Sequence, residues 1–419
     1  MKKILSAIKN FALKVIAKLK IGVTPRNVVL GFQHVFAMFG ATVLVPLLTG
    51  LNVGVALVAS GVGTLIYIIC TKGKVPMYLG SSFAYIGAVV TAGSLYGFNS
   101  AFIGIMVVGL IYILVATIIK MVGSGWIRKI LPPVVVGPMI IIIGMSLASV
   151  AVGSAGLDGN SGWQVPLVAL ITFLTVVGVS IFAKGFWKVI PFLVAIVVGY
   201  FAAAIFGIID WSIFANVSFF QVPDFQIFGT YVVDIRALLI FAPLALVTIA
   251  EHIGDHSLLS EILDKDLITD PGLDKTLLGD GLATLVAGAM GGPANTSYGE
   301  NIGVVAMSGI KTAWVTGIAS VIAIILGFLG YLQAFVMSIP WAVIGGMTIV
   351  LYGLIAASGV RVMVKNKIDL GQTRNLIIVS TMLVIGLGGA MLNIFGVAIM
   401  GMSLAMVIGV ILNLALPKA

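Results

Sequence analysis

The chain has 419 residues, of which 60% are hydrophobic and only 9% charged, and its mean hydropathy is +1.22; ordinary soluble domains are about 25% charged. No globule of this size has an interior large enough for that much apolar surface, so the composition excludes a soluble enzyme, a nucleic-acid-binding module and a disordered chain. The net charge of +9 is not a nucleic-acid footprint, because the location of the charges decides what they mean.

Residues 1–22 read as an amphipathic helix. Ile4, Leu5, Ile8, Phe11, Ala12, Val15, Ile16 and Leu19 share one face, with six lysines interleaved, which suits a helix lying on anionic lipid. The apolar core and small-residue cleavage site of a secretory signal peptide are missing. A membrane helix needs about 20 apolar residues. Such runs follow near residues 27–49, 52–71, 78–95, 98–119, 130–152, 165–183, 188–209, 236–257, 276–292, 295–308, 312–331, 339–360, 375–391 and 395–416. They predict an all-α integral membrane protein of 14 segments, several of them short or split. The longest polar stretches, 210–234 and 260–275, leave no room for a soluble domain. Cys70 is the sole cysteine, so no intrachain disulfide forms.

Lysine and arginine orient the chain. With the N-terminus cytoplasmic, 22 of the 23 basic residues fall inside and Arg236 alone falls outside. One missed span would scatter the later charges, so the split supports both cytoplasmic termini and the even number of spans.

The two halves echo each other. Ser81-Ser82-Phe83 to Gly87 resembles Thr296-Ser297-Tyr298 to Gly303, each following a proline, Pro76 or Pro293, that ends an apolar span. Pro133 to Met139 resembles Pro340 to Met347. The offset is close to half the chain. Seven spans is an odd number, so the second copy is inverted. Inverted repeats with short, Gly- and Pro-interrupted spans at matching positions mark a secondary transporter and point to its substrate site. Irregular backbone is tolerated at that depth only where it lines a cavity.

Most acidic residues lie in predicted loops, and Asp280 is placed near a membrane surface. Glu251, Asp255 and Glu300 remain at depth, where a carboxylate is costly and marks function by default. Glu251 and Asp255 are four apart, on one helix face. No lysine or arginine lies deep enough to pair with them, and a desolvated carboxyl without a cation can carry a proton. His252 and His256 share the spacing of some metal ligands. Ile253, however, stands where the zincin pattern needs glutamate, so no metal is expected. His34 lies within the first span and suits helix packing as well as substrate contact. Phe83 and Tyr298, in the two broken spans, could sandwich a planar ring.

These motifs resemble a known family. Gln33-His34 through Gly40-Ala41-Thr42 to Pro46 resembles the first span of bacterial uracil permeases. So do Gly80 to Tyr85, Ala250-Glu251-His252 with Gly254, Lys265 to Leu273, Asn295 to Gly303, Leu351-Tyr352-Gly353 and Ala357 to Arg361. The resemblance runs from about Arg26 to the C-terminus. It is to the nucleobase–ascorbate transporters, or nucleobase–cation symporters, and within them to the uracil–proton symporters. It implies a 7+7 inverted repeat, with residues 26–121 and 235–331 as a core domain and 127–209 and 339–416 as a gate domain. Short antiparallel strands would meet in the third and tenth spans, and a homodimer would form through the gate. Carried over by motif position, Glu251 and Glu300 would hydrogen-bond the pyrimidine, and the N–H groups of Phe83 and Gly299 would hold its carbonyls. Ala41, Tyr298 and Tyr352 would pack around the ring. Glu251 would carry the coupling proton, with Asp255 or His256 relaying it toward the cytoplasm. No cofactor, metal, nucleic-acid partner or enzymatic activity is implied.

The chain departs from the family pattern in three places. Known uracil symporters have histidine four residues after the first glutamate; here that position is Asp255, with His256 beside it. The signature after Glu300-Asn301 usually ends in threonine and arginine; here it is Ser308-Gly309. Xanthine and urate carriers usually have glutamine at the position of Glu300, and the acid here favours a pyrimidine. The alternatives are a xanthine or other purine symporter and, in a different class, an anion transporter or channel on the related sulfate- and bicarbonate-type fold. Deep charges that are all acidic oppose an anion.

Overall fold

The computed structural model describes residues 24–226, 230–309, 311–394 and 397–417. The expected interfacial helix of residues 1–22 lies outside them. In the first half, α1 (Pro25–Thr49), α2 (Val53–Cys70), β1 (Leu79–Ser81), α3 (Ile86–Tyr96), α4 (Phe98–Val122), α5 (Gly125–Ile130), α6 (Pro133–Ser146), α7 (Ala148–Ser154), α8 (Gln164–Phe182) and α9 (Pro191–Ile205) follow in order. The second half has α10 (Ile235–Leu263), α11 (Leu273–Ala289), β2 (Asn295–Ser297), α12 (Gly299–Ser308), α13 (Ala313–Gly327), α14 (Gly330–Met337), α15 (Trp341–Lys365), α16 (Thr373–Leu387), β3 (Met391–Ile394), β4 (Val397–Met400) and α17 (Gly401–Ala415).

Local chemistry sets the ends of these elements. Thr24 caps α1 by accepting from the Asn27 N–H, Pro25 takes the first turn, and Gly50 closes the helix in the left-handed region at φ 76°. Asn52 caps α2 in the same way. Asp234 caps α10 and pairs with Arg236, whose guanidinium lies 4.7 Å over the Tyr96 ring. That arginine holds the Asp234 carboxyl below the usual carboxylate range. The start of α10 is thereby tied to the end of α3.

Among the described residues, seven helices are long and apolar enough to cross a bilayer, and five shorter apolar helices accompany them. Their packing has a two-fold pattern. α4 lies against α11 as α2 lies against α13; α1 meets α13 as α10 meets α4; α8 meets α9 as α16 meets α17; α6 meets α16 as α15 meets α8. Exchanging the two halves turns each pair into its counterpart, as an inverted repeat requires. β1 and β2, the matching strands of the two halves, pair antiparallel with Leu79↔Ser297, Gly80↔Thr296 and Ser81↔Asn295 in register. This is the expected strand pair of the broken spans.

The last apolar stretch differs from expectation. Where two helices with a short link are predicted, the chain forms a β3–β4 hairpin, Met391↔Met400 to Ile394↔Val397, before α17 begins at Gly401. Gly388 and Gly389 end α16, Gly389 at φ 70°. The apolar, β-branched residues that follow suit a strand as well as a helix, and apolarity alone does not separate the two.

Small residues set the closest helix contacts. A β-carbon added to Gly281 on α11 would lie 2.7 Å from Tyr112 Cβ and 2.9 Å from the Gly109 carbonyl oxygen of α4. One on Gly109 would lie 2.6 Å from the Gly281 oxygen. Membrane helices lack a hydrophobic drive to associate and rely on such close approach. Gly281→Val should therefore lower the melting temperature of the detergent-solubilised protein, by about 1–3 kcal/mol of stability or more. Gly178→Ala on α8, where nothing lies within 4 Å of the new carbon, should leave it unchanged.

Candidate functional site

The broken spans meet at the strand pair. Beyond the register residues, the ladder is extended by Ser82 N–H to the Ala294 carbonyl at 2.8 Å and Tyr298 N–H to the Tyr78 carbonyl at 3.1 Å. Side chains from neighbouring helices satisfy more of the backbone. The Thr64 hydroxyl donates to the Leu79 carbonyl and accepts from the Leu79 N–H. Thr284 donates to the Asn295 carbonyl, and the Asn295 amide donates to the carbonyls of Ala59 and Ala283. The Tyr298 hydroxyl donates to the Ser81 carbonyl at 2.9 Å and accepts from Thr42 at 3.3 Å. This extended backbone thus finds partners within the protein, as its depth demands.

Each strand leads directly into a helix start: Phe83–Tyr85 forms a single turn before α3, and Gly299 opens α12. The first N–H groups of a helix have no partner within it and carry its positive dipole end. Phe83 and Gly299 therefore stand where such groups are presented. Ala41, Tyr298 and Tyr352 belong to one buried apolar cluster, and Phe83 packs against it. The Tyr352 hydroxyl is buried without a hydrogen-bond partner among the described residues.

The expected carboxylates gather at the same place. Glu300 is the second residue of α12, in its first turn. Asp255 accepts from the Ser297 hydroxyl at 2.6 Å, which ties α10 to β2. Glu251 lies within electrostatic reach of Asp255, Asp280 and Glu300, and Asp255 within reach of Glu300 and Asp280. Glu251, Asp255 and Glu300 are half-buried. Below them an accessible strip runs along two neighbouring helices: Gly254, Ser257, Leu258 and Glu261 on α10, and Gly299, Gly303 and Met307 on α12. A β-carbon added at Gly254, Gly299 or Gly303 would meet nothing within 4 Å. A separate cleft of about 650 Å³, lined by Lys74, Lys265, Asp266, Asp270 and Lys311 among the loops, contains none of these residues. There the Lys74 ammonium beside Asp270 holds its carboxyl below the usual carboxylate range.

Comparisons with known proteins give the family. A family described as a permease family matches residues 25–395. The chain belongs to it. The uracil permease of Bacillus caldolyticus is 48% identical over 396 residues, 93% of this chain and 92% of that protein. The uracil permease of Bacillus subtilis (strain 168) is 44% identical, with 92% of each chain covered. That of Escherichia coli (strain K12) is 41% identical over 94% of this chain and 93% of its own. Among solved structures, the transmembrane domain of a cyanobacterium bicarbonate transporter, BicA, superposes with a TM-score of 0.64 at 17% identity, covering 94% of this chain and 99% of that one. SLC26A9 superposes at 0.70 and 12% identity, covering 97% and 69%. At such identities the likeness concerns the fold alone.

Two buried residues, on α10 and α11, stand apart from the Glu251–Asp255–Glu300 group. His256 does not join the other expected residues: it lies fully buried on another face of α10, between the Tyr67 hydroxyl at its Nε2 and the His252 carbonyl, 2.7 Å from its Nδ1. Nor is Asp280 near a surface. It is fully buried, with His252 Nδ1 2.8 Å from its Oδ2. Helix α11 begins at Leu273 rather than at 276, so Asp280 lies two turns inside it. The signal was present in the sequence: Thr276, Asp280 and Thr284, four apart, form a polar stripe on an apolar helix, and all three are buried. Ser297 and Asn301 were also passed over. The Asn301 amide bonds His34 at its carbonyl and at Nδ1, joining α12 to α1.

Tyr298→Phe removes the hydroxyl that crosses between the strands and leaves the buried Ser81 carbonyl without that donor. It should cost about 1–3 kcal/mol, read as a lower melting temperature of the purified permease.

Proposed function

We propose that this permease imports uracil across the bacterial cytoplasmic membrane by proton symport, with both termini cytoplasmic. The observation that carries the reading is the β1–β2 pairing, which turns two helix starts and the Glu251–Asp255–Glu300 group towards one another. Uracil has two N–H donors and two carbonyl acceptors. Carboxylates at Glu300 and Glu251 suit its N–H groups, and the N–H groups of Phe83 and Gly299 suit its carbonyls. Ala41, Tyr298 and Tyr352 supply an apolar enclosure for one ring. The relatives named uracil permeases support the substrate.

The moving parts are a core of residues 26–121 and 235–331 and a gate of residues 127–209 and 339–416, the gate also serving as a homodimer interface. Tyr352, on α15, contacts the ring from the gate side, so loading is felt across the boundary. Glu251 takes the coupling proton and Asp255, one helical turn below it, relays it. A protonated carboxyl presents no buried charge while the loaded carrier changes its facing. His256 has both ring nitrogens engaged and is left out of the relay.

Uptake of labelled uracil into proteoliposomes tests the reading: it should rise with an inward proton gradient, and a sodium-driven, pH-independent uptake would discard the proton mechanism. Glu251→Ala and Glu300→Ala each leave a ligand donor unpaired in a dry site, a loss of about 1–3 kcal/mol or more, and should abolish detectable binding. Wild-type affinity in either would sink the assignment. Asp255→Asn keeps shape and hydrogen bonding but cannot ionise; it should bind uracil yet transport it slowly or without coupling. Cytosine, with a donor in place of an acceptor, should compete far worse than uracil, and displacement by xanthine but not by uracil would show the substrate to be a purine.

A further inference from the structure

One buried ionisable pair has no part in that relay. Asp280 Oδ2 on α11 lies 2.8 Å from His252 Nδ1 on α10, and both side chains are wholly inaccessible. The other atoms of the pair, Asp280 Oδ1 and His252 Nε2, are buried with no hydrogen-bond partner among the described residues. The titratable groups around it come from every neighbouring element. α10 supplies Glu251, Asp255 and His256, the last with its ring stacked 3.9 Å from that of His252. α2 supplies Tyr67 and Cys70, α4 supplies Tyr112, edge-on to His252 at 6.4 Å, and the turn before α3 supplies Tyr85. Glu300 on α12 completes the set through Glu251 and Asp255. None of these is a lysine or arginine.

Two protonation states compete. With Asp280 ionised and His252 neutral, the Nδ1–H donates to the carboxylate and Nε2 is a bare lone pair, but the pair has a net negative charge in the interior with no cation beside it. With one more proton the pair is neutral, whether that proton is on the carboxyl or on the ring. The cost is then an Nε2–H or an Oδ1–H with no acceptor. One state has an uncompensated charge and the other an unsatisfied donor, so neither is held firmly. His256 lacks this freedom: its Nδ1–H must donate to the His252 carbonyl, so its Nε2 accepts from Tyr67. Glu251 and Asp255 flank His252 on α10, so a charge appearing on either one favours the protonated pair.

We propose that the Asp280–His252 pair is a second proton-holding site of the transport cycle, exchanging one proton with the Glu251 and Asp255 carboxylates as the carrier loads and empties. In the exchange the proton leaves the O–H of a Glu251 or Asp255 carboxyl, which becomes a carboxylate. It ends at His252 Nε2 or Asp280 Oδ1, the two unpartnered positions. The proposal rests on the proton-coupled reading above and adds to it a residue that does not touch substrate: Asp280 acts as a positioning and proton-holding group.

The test uses the full-length permease and Asp280→Asn, which keeps the shape and can donate its amide N–H to His252 Nδ1. Uracil affinity should stay within about threefold of wild type. The number of protons taken up per uracil bound, measured by calorimetry in buffers of differing ionisation enthalpy, should fall, and the pH profile of uptake should lose one ionisation. An unchanged proton count and pH profile would overturn the proposal. Should Asp280→Asn fail to fold, His252→Gln serves with the same readouts, since glutamine can donate to Asp280 but holds no second proton. Infrared titration of the protonated-carboxyl band, without ligand, judges the pair separately from the symport reading: Asp280→Asn should remove part of the band, and a band identical to wild type would overturn the proposal. A wild type whose uptake ignores the proton gradient, or that binds no uracil, counts instead against the function proposed above.

Discussion

Backbone that leaves the helix inside a membrane must find hydrogen-bond partners in the protein, because the lipid supplies none. Here the partner of each unwound segment is the other one. β1 comes from the first half and β2 from the second, and neither has a ladder without its counterpart. The polar side chains around them, Thr64, Thr284, Asn295 and the Tyr298 hydroxyl, serve the same requirement. From this pairing follow the shared position of the two helix starts and the gathering of Phe83, Tyr298 and Glu300. A change that weakens the strand pair therefore acts on the site as well as on stability.

Helix α10 carries polar groups on two faces. Glu251 and Asp255 turn towards the strands and the accessible strip; His252 and His256, each one residue further and so about 100° around the helix, turn into the packing against α11 and α2. Polar groups buried in a membrane are retained where they have work to do. The first face is open enough to meet a ligand, and the second is closed. In the reading proposed above, ligand chemistry and proton storage would thereby occupy different faces of one helix.

Ser403 on α17 donates to the Ile240 carbonyl of α10, and Lys365 on α15 pairs with Glu261 on α10 at 2.8 Å. Both contacts cross between the halves of the core–gate division proposed above. The Lys365–Glu261 pair is largely exposed, and exposed pairs contribute little, about 0–1 kcal/mol, so it guides rather than locks.

Much of the fold was legible in the sequence, because membrane burial writes itself into long apolar runs and because the repeat left paired prolines and paired Ser/Thr-aromatic segments at matching offsets. Glu251, Asp255 and Glu300 stood out for the same reason: an acid inside an apolar run is rare enough to be read directly. The β3–β4 hairpin was not legible, since Met391 to Met400 is equally apolar as strand or helix. Asp280 was missed because its depth depends on where α11 begins, a matter of three residues that loop packing decides. The direction in which His256 points was missed because neighbouring positions on a helix diverge in space although they adjoin in sequence. The sequence alone thus determined membrane class, repeat and family, and it singled out the candidate carboxylates. Only the tertiary structure decided which of the buried polar groups share a site, since partnership between α10, α11 and β2 is a property of packing that no single stretch of chain contains.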